Sequence, residues 1–405
     1  MTPRRLHARS VDRRRILSIA GGLLAAGGLP LRGLRAQEGT PTDADGAVGP
    51  ARLAALLRVL PEDLSSDIVF TWADLATQLA VAGLRPLDSA DNLDSAFIQA
   101  TQTLALGDIL RYATLPEYEE TFGFAPIRVE QMLSGGDVGN GITLVRGRFS
   151  ERDLLDAWER SGYTPVDTDN GTVWSWADGP EFDASSPVSR FGAGALNNAA
   201  VLPDGTVAFA PTVALVAATL AVAAGDAPAL AEREDVATLL GTSSSSLVSA
   251  MLLRGEALTF EDDFMTPEAR QRIEERRAEQ EDAVGPMPPV AAALFGVTAG
   301  LHVSEGAEDQ AILDAAGVPE STVVVRLLTD SAEDAGQAAE VVTHRWAEWP
   351  SLVSSRQLTT LLDLRSAEAH ERAPVTVLNF SPVAEATAGV WYQMIYAGDL
   401  AAFGP

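Results

Sequence analysis

The dipeptides Asn170-Gly171 and Asp204-Gly205 constrain this chain more than any other feature. Each lies between short runs rich in Thr, Val, Trp or Phe, and such a turn between such runs is the strongest short-range signal for a β-hairpin. A hairpin joins antiparallel strands, so antiparallel or mixed sheets are expected. The first turn closes the most readable stretch, GITLVRGRFSERDLLDAWERSGYTPVDTDNGTVWSW, residues 141–176. Residues 142–149 read as a strand with Val145 and Phe149 on one side and Arg146 and Arg148 on the other. Ser150 is placed to cap a helix with Asp153 at its third position, an acidic variant of the capping box. Leu154, Leu155 and Trp158 form the apolar stripe of that helix, and Gly162 ends it. Residues 163–166 and 172–176 then pair across Asn170-Gly171, and 199–202 with 206–210 across Asp204-Gly205.

The same periodicities predict strands over 67–72, 247–253, 292–303, 322–328, 358–364 and 375–380, and helices over 74–82, 212–224, 235–240 and 384–396. A further helix starts at Ser331, with Asp334 in its first turn and Trp346 near its end. Strand, Ser cap, acid and Trp thus recur roughly 180 residues after their first appearance, a pattern that either a weak internal duplication or chance recurrence of these common caps would give. The expected class is α+β, with mixed or antiparallel sheets, hairpins and packed helices. Some 370 residues beyond the leader exceed what one core usually holds, roughly 250–300 residues, so two lobes are expected, 51–254 and 291–405. Between them, 255–290 reads as a polar helical insertion or linker. Thr266 and Pro267 start its helix, Met265 and Ile273 are nearly its only large apolar residues, and Gly285-Pro286-Met287-Pro288-Pro289 follows as a stiff extended piece.

Residues 1–36 read as a targeting segment. The pair Arg13 and Arg14, followed by Arg15-Ile16-Leu17 and a glycine-rich apolar run, resembles a twin-arginine export signal. Cleavage between Ala36 and Gln37 would leave 37–50 as a flexible linker; an uncleaved N-terminal anchor is the other reading. The absence of cysteine removes disulfides, thiolate metal sites and a Cys nucleophile. Lysine is absent too, since all 29 basic residues are arginine, which removes Schiff-base chemistry and a P-loop lysine. Eight of those arginines and one of the 56 acids precede residue 37, leaving 21 arginines against 55 acids, a balance of −34. Such a surface repels nucleic acid and anionic headgroups and favours cationic ligands, divalent cations or an envelope component. No run beyond residue 36 reads as a membrane span.

The segments VRGRFSERDLLDAWERSGY, NNAAVLPDGTVAFAPT and MPPVAAALFGVTAG resemble parts of exported bacterial proteins that carry domains of unknown function. The resemblance runs over most of the chain beyond the leader. It implies export and carries no assigned reaction or catalytic residue.

Candidate chemistry therefore rests on the residues themselves. Asp167, Asp169 and Gly171 suggest a calcium loop, but the glycine falls one position early and the distal Glu is missing, so a hairpin turn is expected. His302, His344 and His370 lack metal-ligand spacing, no Gly-x-Ser-x-Gly elbow occurs, and Gly192-x-Gly194 lacks the context of a nucleotide loop. No catalytic residue, cofactor or metal is assigned. Two features remain as a ligand or partner platform. Trp174 and Trp176 share one strand face, where paired indoles form a sugar-stacking or docking surface, and Arg146 with Arg148 suits an anion. Trp346 and Trp349 share a helix face in the same way. The function read from the sequence is non-catalytic extracytoplasmic binding. The alternative is an envelope polysaccharide hydrolase using an Asp/Glu pair, and a solute-binding fold matches the strand and helix order poorly.

Overall fold

The computed structural model describes residues 49–404 apart from 65–68, 88, 90–92, 94, 103, 106–108, 137–140, 255–266, 302–318, 352–355, 384–388 and 397–401. Arg13, Arg14, Ala36, Gln37, His302 and nearly all of the 37–50 segment lie outside the described residues. The strands are β1 (Phe70–Asp74), β2 (Val129–Gly135), β3 (Ile142–Gly147), β4 (Thr164–Thr168), β5 (Gly171–Ser175), β6 (Asn198–Val201), β7 (Val207–Ala210), β8 (Leu247–Arg254), β9 (Ala292–Thr298), β10 (Val323–Leu328), β11 (Leu362–Ala369) and β12 (Val375–Pro382). They form one 12-stranded sheet in the order β11-β12-β10-β9-β8-β1-β2-β3-β7-β6-β5-β4, with every pairing between them antiparallel. The helices are α1 (Pro50–Leu57), α2 (Leu75–Val81), α3 (Ser95–Thr101), α4 (Pro116–Phe122), α5 (Glu151–Arg160), α6 (Pro187–Gly192), α7 (Val213–Ala224), α8 (Glu234–Gly241), α9 (Pro267–Val284), α10 (Ala332–Glu348) and α11 (Val390–Tyr396). The fold is α+β.

Alternation along the strands divides the apolar residues between the two faces of the sheet. On one face Leu53 and Leu56 of α1, Val216 and Leu220 of α7, and Val236 and Leu239 of α8 pack on Trp72, Leu144, Ala208 and Leu252. On the other face, Phe122, Leu154, Trp158 and Phe191 cover Val145 and Phe209. Further along that face α2, α9, α10 and α11 cover Met251, Phe295, Val325 and Phe380. Covering both faces lets one sheet serve several cores, which is how the chain exceeds the usual single-core length without splitting its sheet. The two expected lobes share that sheet: β8, buried at every position, pairs with β1 on one side and β9 on the other.

The recurrence read in the sequence has a topological counterpart. The meander β1-β2-β3 is followed by α5 and later by the hairpin β6-β7, whose second strand returns beside β3; β8-β9-β10 is followed by α10 and the hairpin β11-β12, whose second strand returns beside β10. Both crossover helices open on the predicted cap, Ser150 Oγ accepting from Asp153 N and Ser331 Oγ from Asp334 N, each at 3.1 Å. The two units meet antiparallel at β1 and β8, and β4-β5 is an extra hairpin in the first.

Several expected elements shift. In the first hairpin Thr168 pairs with Gly171, so Asp169 and Asn170 form the turn and Gly171 opens β5 at φ 143, a conformation that favours glycine. In the second, Gly205 at φ 83 follows Asp204 in the loop 202–206 between β6 and β7. Residues 358–360 form a 3-10 turn ahead of β11. The helix of the 255–290 segment docks rather than standing in solvent. Ile273, Gln280 and Met287 are buried, and Arg276 Nη1 donates to Glu348 O at 3.3 Å. A few widely spaced apolar residues, Ile273, Val284 and Met287, and polar contacts hold it, a combination that apolar periodicity does not register. The sheet edges are guarded, β4 by Pro165 and β11 by a bulge between Leu364 and Ser366.

Candidate functional site

The structure separates the predicted platform residues. Val145 belongs to the core under α5, whereas Ile142 and Leu144 belong to the core under α7, so Arg146 shares the face of the latter pair. Trp174 and Trp176 lie on the α5 side, half-buried, with Trp174 at 6.3 Å between ring centroids from Trp158. The tryptophans thus share a face as predicted, and Arg146 lies on the opposite one. Arg146 is bonded to the Asp204 carboxylate and, at 3.3 Å, to Thr206 Oγ1. Burial alone would raise the Asp204 carboxyl, but bonds from the Thr206 amide and the Arg146 guanidinium outweigh it and hold the carboxyl below its usual range. Arg146 therefore pins the β6-β7 turn. Arg148, past the end of β3, donates to Leu87 O at 2.9 Å and lies 3.6 Å from Glu130. Trp346 and Trp349 are core residues, with the Arg345 guanidinium over the Trp349 ring at 4.8 Å.

An open groove of about 440 Å³ lies where α1 and α7 end, lined by Arg58, Val222, Asp226, Pro228, Ala229 and Glu232. Its walls are joined by two backbone bonds, Glu62 N to Pro228 O at 3.1 Å and Leu230 N to Leu60 O at 2.8 Å. Asn170 Nδ2 donates to Asp226 from the tip of the β4-β5 hairpin. The groove presents a guanidinium and two carboxylates to solvent, a set that suits a small cationic or zwitterionic group.

Other charged groups are consumed inside the fold. Asp74, fully buried at the end of β1, accepts from Arg52 Nη1 at 2.9 and 2.8 Å, from Thr77 N at 3.0 Å and from Thr77 Oγ1 at 2.7 Å. The Gln131 side-chain oxygen, in the amide orientation that satisfies both partners, accepts from Arg52 Nε and Nη2, each at 2.7 Å. Arg254, buried at the end of β8, donates to Asp235 at 2.9 Å. Burial would raise Asp235, but the hydrogen bond from Arg233, the nearby Arg254 charge and the Val236 amide together lower it. Sequence reading missed these pairs because the partners lie 22 and 19 residues apart. Asp167 accepts from Thr172 Oγ1 at 3.3 Å, and among the described residues no three His, Cys, Asp or Glu side chains converge to hold a metal ion. Nor, among them, is any helix long and apolar enough to cross a membrane.

Comparison with known protein families, with characterised proteins and with solved structures finds no match.

Proposed function

We propose that the protein is exported and acts by binding, at the cell envelope or outside the cell, without a covalent chemical step. The observation that carries this reading is the charge imbalance. Beyond residue 36, 55 acids face 21 arginines, and Arg52, Arg146 and Arg254 are already spent on internal pairs. Most carboxylates therefore have no arginine to pair with. They present a surface that steers cationic partners or divalent cations toward it and repels nucleic acid. The half-buried Trp174 of β5 and Trp176 just past its end add apolar contact area next to the edge strand. The resemblance to exported bacterial proteins with domains of unknown function belongs to the same proposal.

A thermal-shift screen of the protein from Gln37 onward, with divalent cations, cationic peptides and oligosaccharides, tests the binding arm. A ligand at a hundredfold excess over its Kd adds about 2.7 kcal/mol by mass action, and added salt should shrink the gain for a charged ligand. A parallel screen with glycosidic, ester and phosphate substrates is expected to yield no product. Turnover that one Asp or Glu substitution abolishes without loss of stability overturns the proposal in favour of the hydrolase. Export is tested separately. Replacing Arg13 and Arg14 together with lysine is expected to trap the precursor in the cytoplasm, because the twin-arginine route reads the pair itself. Undiminished secretion of that double variant removes the route.

A further inference from the structure

Among the described residues the two exposed large hydrophobic side chains are Ile98, 42% exposed, and Phe182, 62% exposed. A single exposed apolar residue needs no explanation. Phe182 stands apart through the backbone that carries it. Residues 177–186 connect β5 to α6 without regular structure, yet both sides of Phe182 are tied down. Asn198 Nδ2 donates to Ala177 O at 3.0 Å, and Asn197 Nδ2 donates to Gly179 O at 2.8 Å and Glu181 O at 3.0 Å, from two fully buried side chains. Gly179 N donates to Pro211 O at 2.8 Å, and the Asp178 carboxylate accepts from Val213 N at 3.0 Å. After Phe182, Asp183 N donates to Ser189 Oγ at 3.1 Å and Asp183 Oδ1 accepts from Ser185 N at 2.8 Å. Gly194, at φ 92, lets Pro180 approach so closely that a Cβ there would meet its backbone at 2.9 Å.

The loop thus carries an exposed aromatic side chain on a fixed backbone, and a backbone ordered before binding loses less freedom on docking. Its chemistry is one-sided as well. Asp178, Glu181 and Asp183, close to Phe182 along the loop, are exposed, and 177–186 contains no basic residue. Hydrogen bonds from the Ser185 hydroxyl and amide lower the Asp183 carboxyl, so it stays charged in mild acid.

Resting on the binding role above, we propose that Phe182 is the anchor of a preformed docking knob for a protein partner that offers an apolar pocket rimmed by arginine or lysine. Aromatic anchors seated in pockets dominate binding energy, and the acidic rim supplies charge complementarity and orientation.

Selection of a cyclic random-peptide library on the immobilised protein from Gln37 onward tests this. Peptides joining aliphatic or aromatic residues to Arg or Lys are expected to be enriched. Their affinity should fall at least tenfold on Phe182→Ala and several-fold on the double variant Glu181→Gln, Asp183→Asn, with the thermal midpoint of each variant unchanged. Gly194→Ala, which displaces the support and leaves the Phe182 side chain chemically unaltered, should weaken binding too. Enrichment of no such peptide, or equal affinity for Phe182→Ala, overturns the knob. Equal affinity would leave the general binding role standing, whereas turnover in the substrate screen sinks that role and leaves the peptide result readable.

Discussion

Asp74→Ala is expected to lower the unfolding free energy by about 3–5 kcal/mol, the usual consequence of removing one partner of a buried ion pair. The carboxylate is fully buried and the Arg52 guanidinium 2% exposed, so water cannot replace the lost partner. The bonds of Arg52 to Thr77 Oγ1, at 2.7 Å from Nη1, and to the Gln131 oxygen are made to uncharged groups and do not replace the carboxylate. The same substitution removes the side-chain cap of α2, since Asp74 accepts from Thr77 N, a loss of about 0.5–2 kcal/mol within that total. Urea unfolding of the single variants and of the double variant Asp74→Leu, Arg52→Met measures the coupling. The double variant is expected to be more stable than Asp74→Ala alone, because the buried guanidinium is removed together with its carboxylate. A loss below about 1 kcal/mol for Asp74→Ala would show that the site relaxes or hydrates, contrary to its burial.

Trp346→Ala should cost a comparable amount, about 3–5 kcal/mol, through the cavity it leaves. The indole is 1% exposed, with ring centroids 4.6 Å from Phe380 and 5.5 Å from Phe403. Its Nε1–H donates to Leu362 O at 2.9 Å, so one side chain joins α10 to β11, to β12 and to the segment 402–404. Trp346→Phe would keep much of the packing and orphan the Leu362 carbonyl, adding roughly 1–3 kcal/mol for an unmet buried acceptor. Trp158 supplies the comparison, since its buried Nε1 has no hydrogen-bond partner. Trp158→Phe should therefore be the milder of the two Trp→Phe changes. Equal losses in urea unfolding would falsify the hydrogen-bond account.

Features that depend on a few neighbouring residues could be read before any fold was known. Ser150 with Asp153, and Ser331 with Asp334, specify helix starts because a cap closes within three residues. The hairpins were legible to within one residue, the slip at Asn170 arising because Gly171 takes up its special φ as a strand residue instead of inside the turn. For the candidate site, alternation put Trp174 and Trp176 on one face, but whether Arg146 joined them depended on the order β3-β7-β6-β5 and its register. Phe182 left one signal, an aromatic between Glu181 and Asp183 after Gly179-Pro180, outside any periodic run. That signal marks exposure; the anchoring comes from Asn197, just before β6, and Asn198, its first residue.

By itself, then, the sequence determined local structure and overall chemistry: the hairpins, the capped helices, the α+β class, a strongly acidic surface and the lack of thiol or lysine chemistry. Tertiary structure alone decided that both expected lobes share one sheet through β1 and β8, that the polar α9 docks, and that Arg52 meets Asp74. The division has a physical cause. Caps and turns are settled by energies between residues a few positions apart, whereas pairing, docking and burial of charge depend on groups that only the folded chain brings within contact distance.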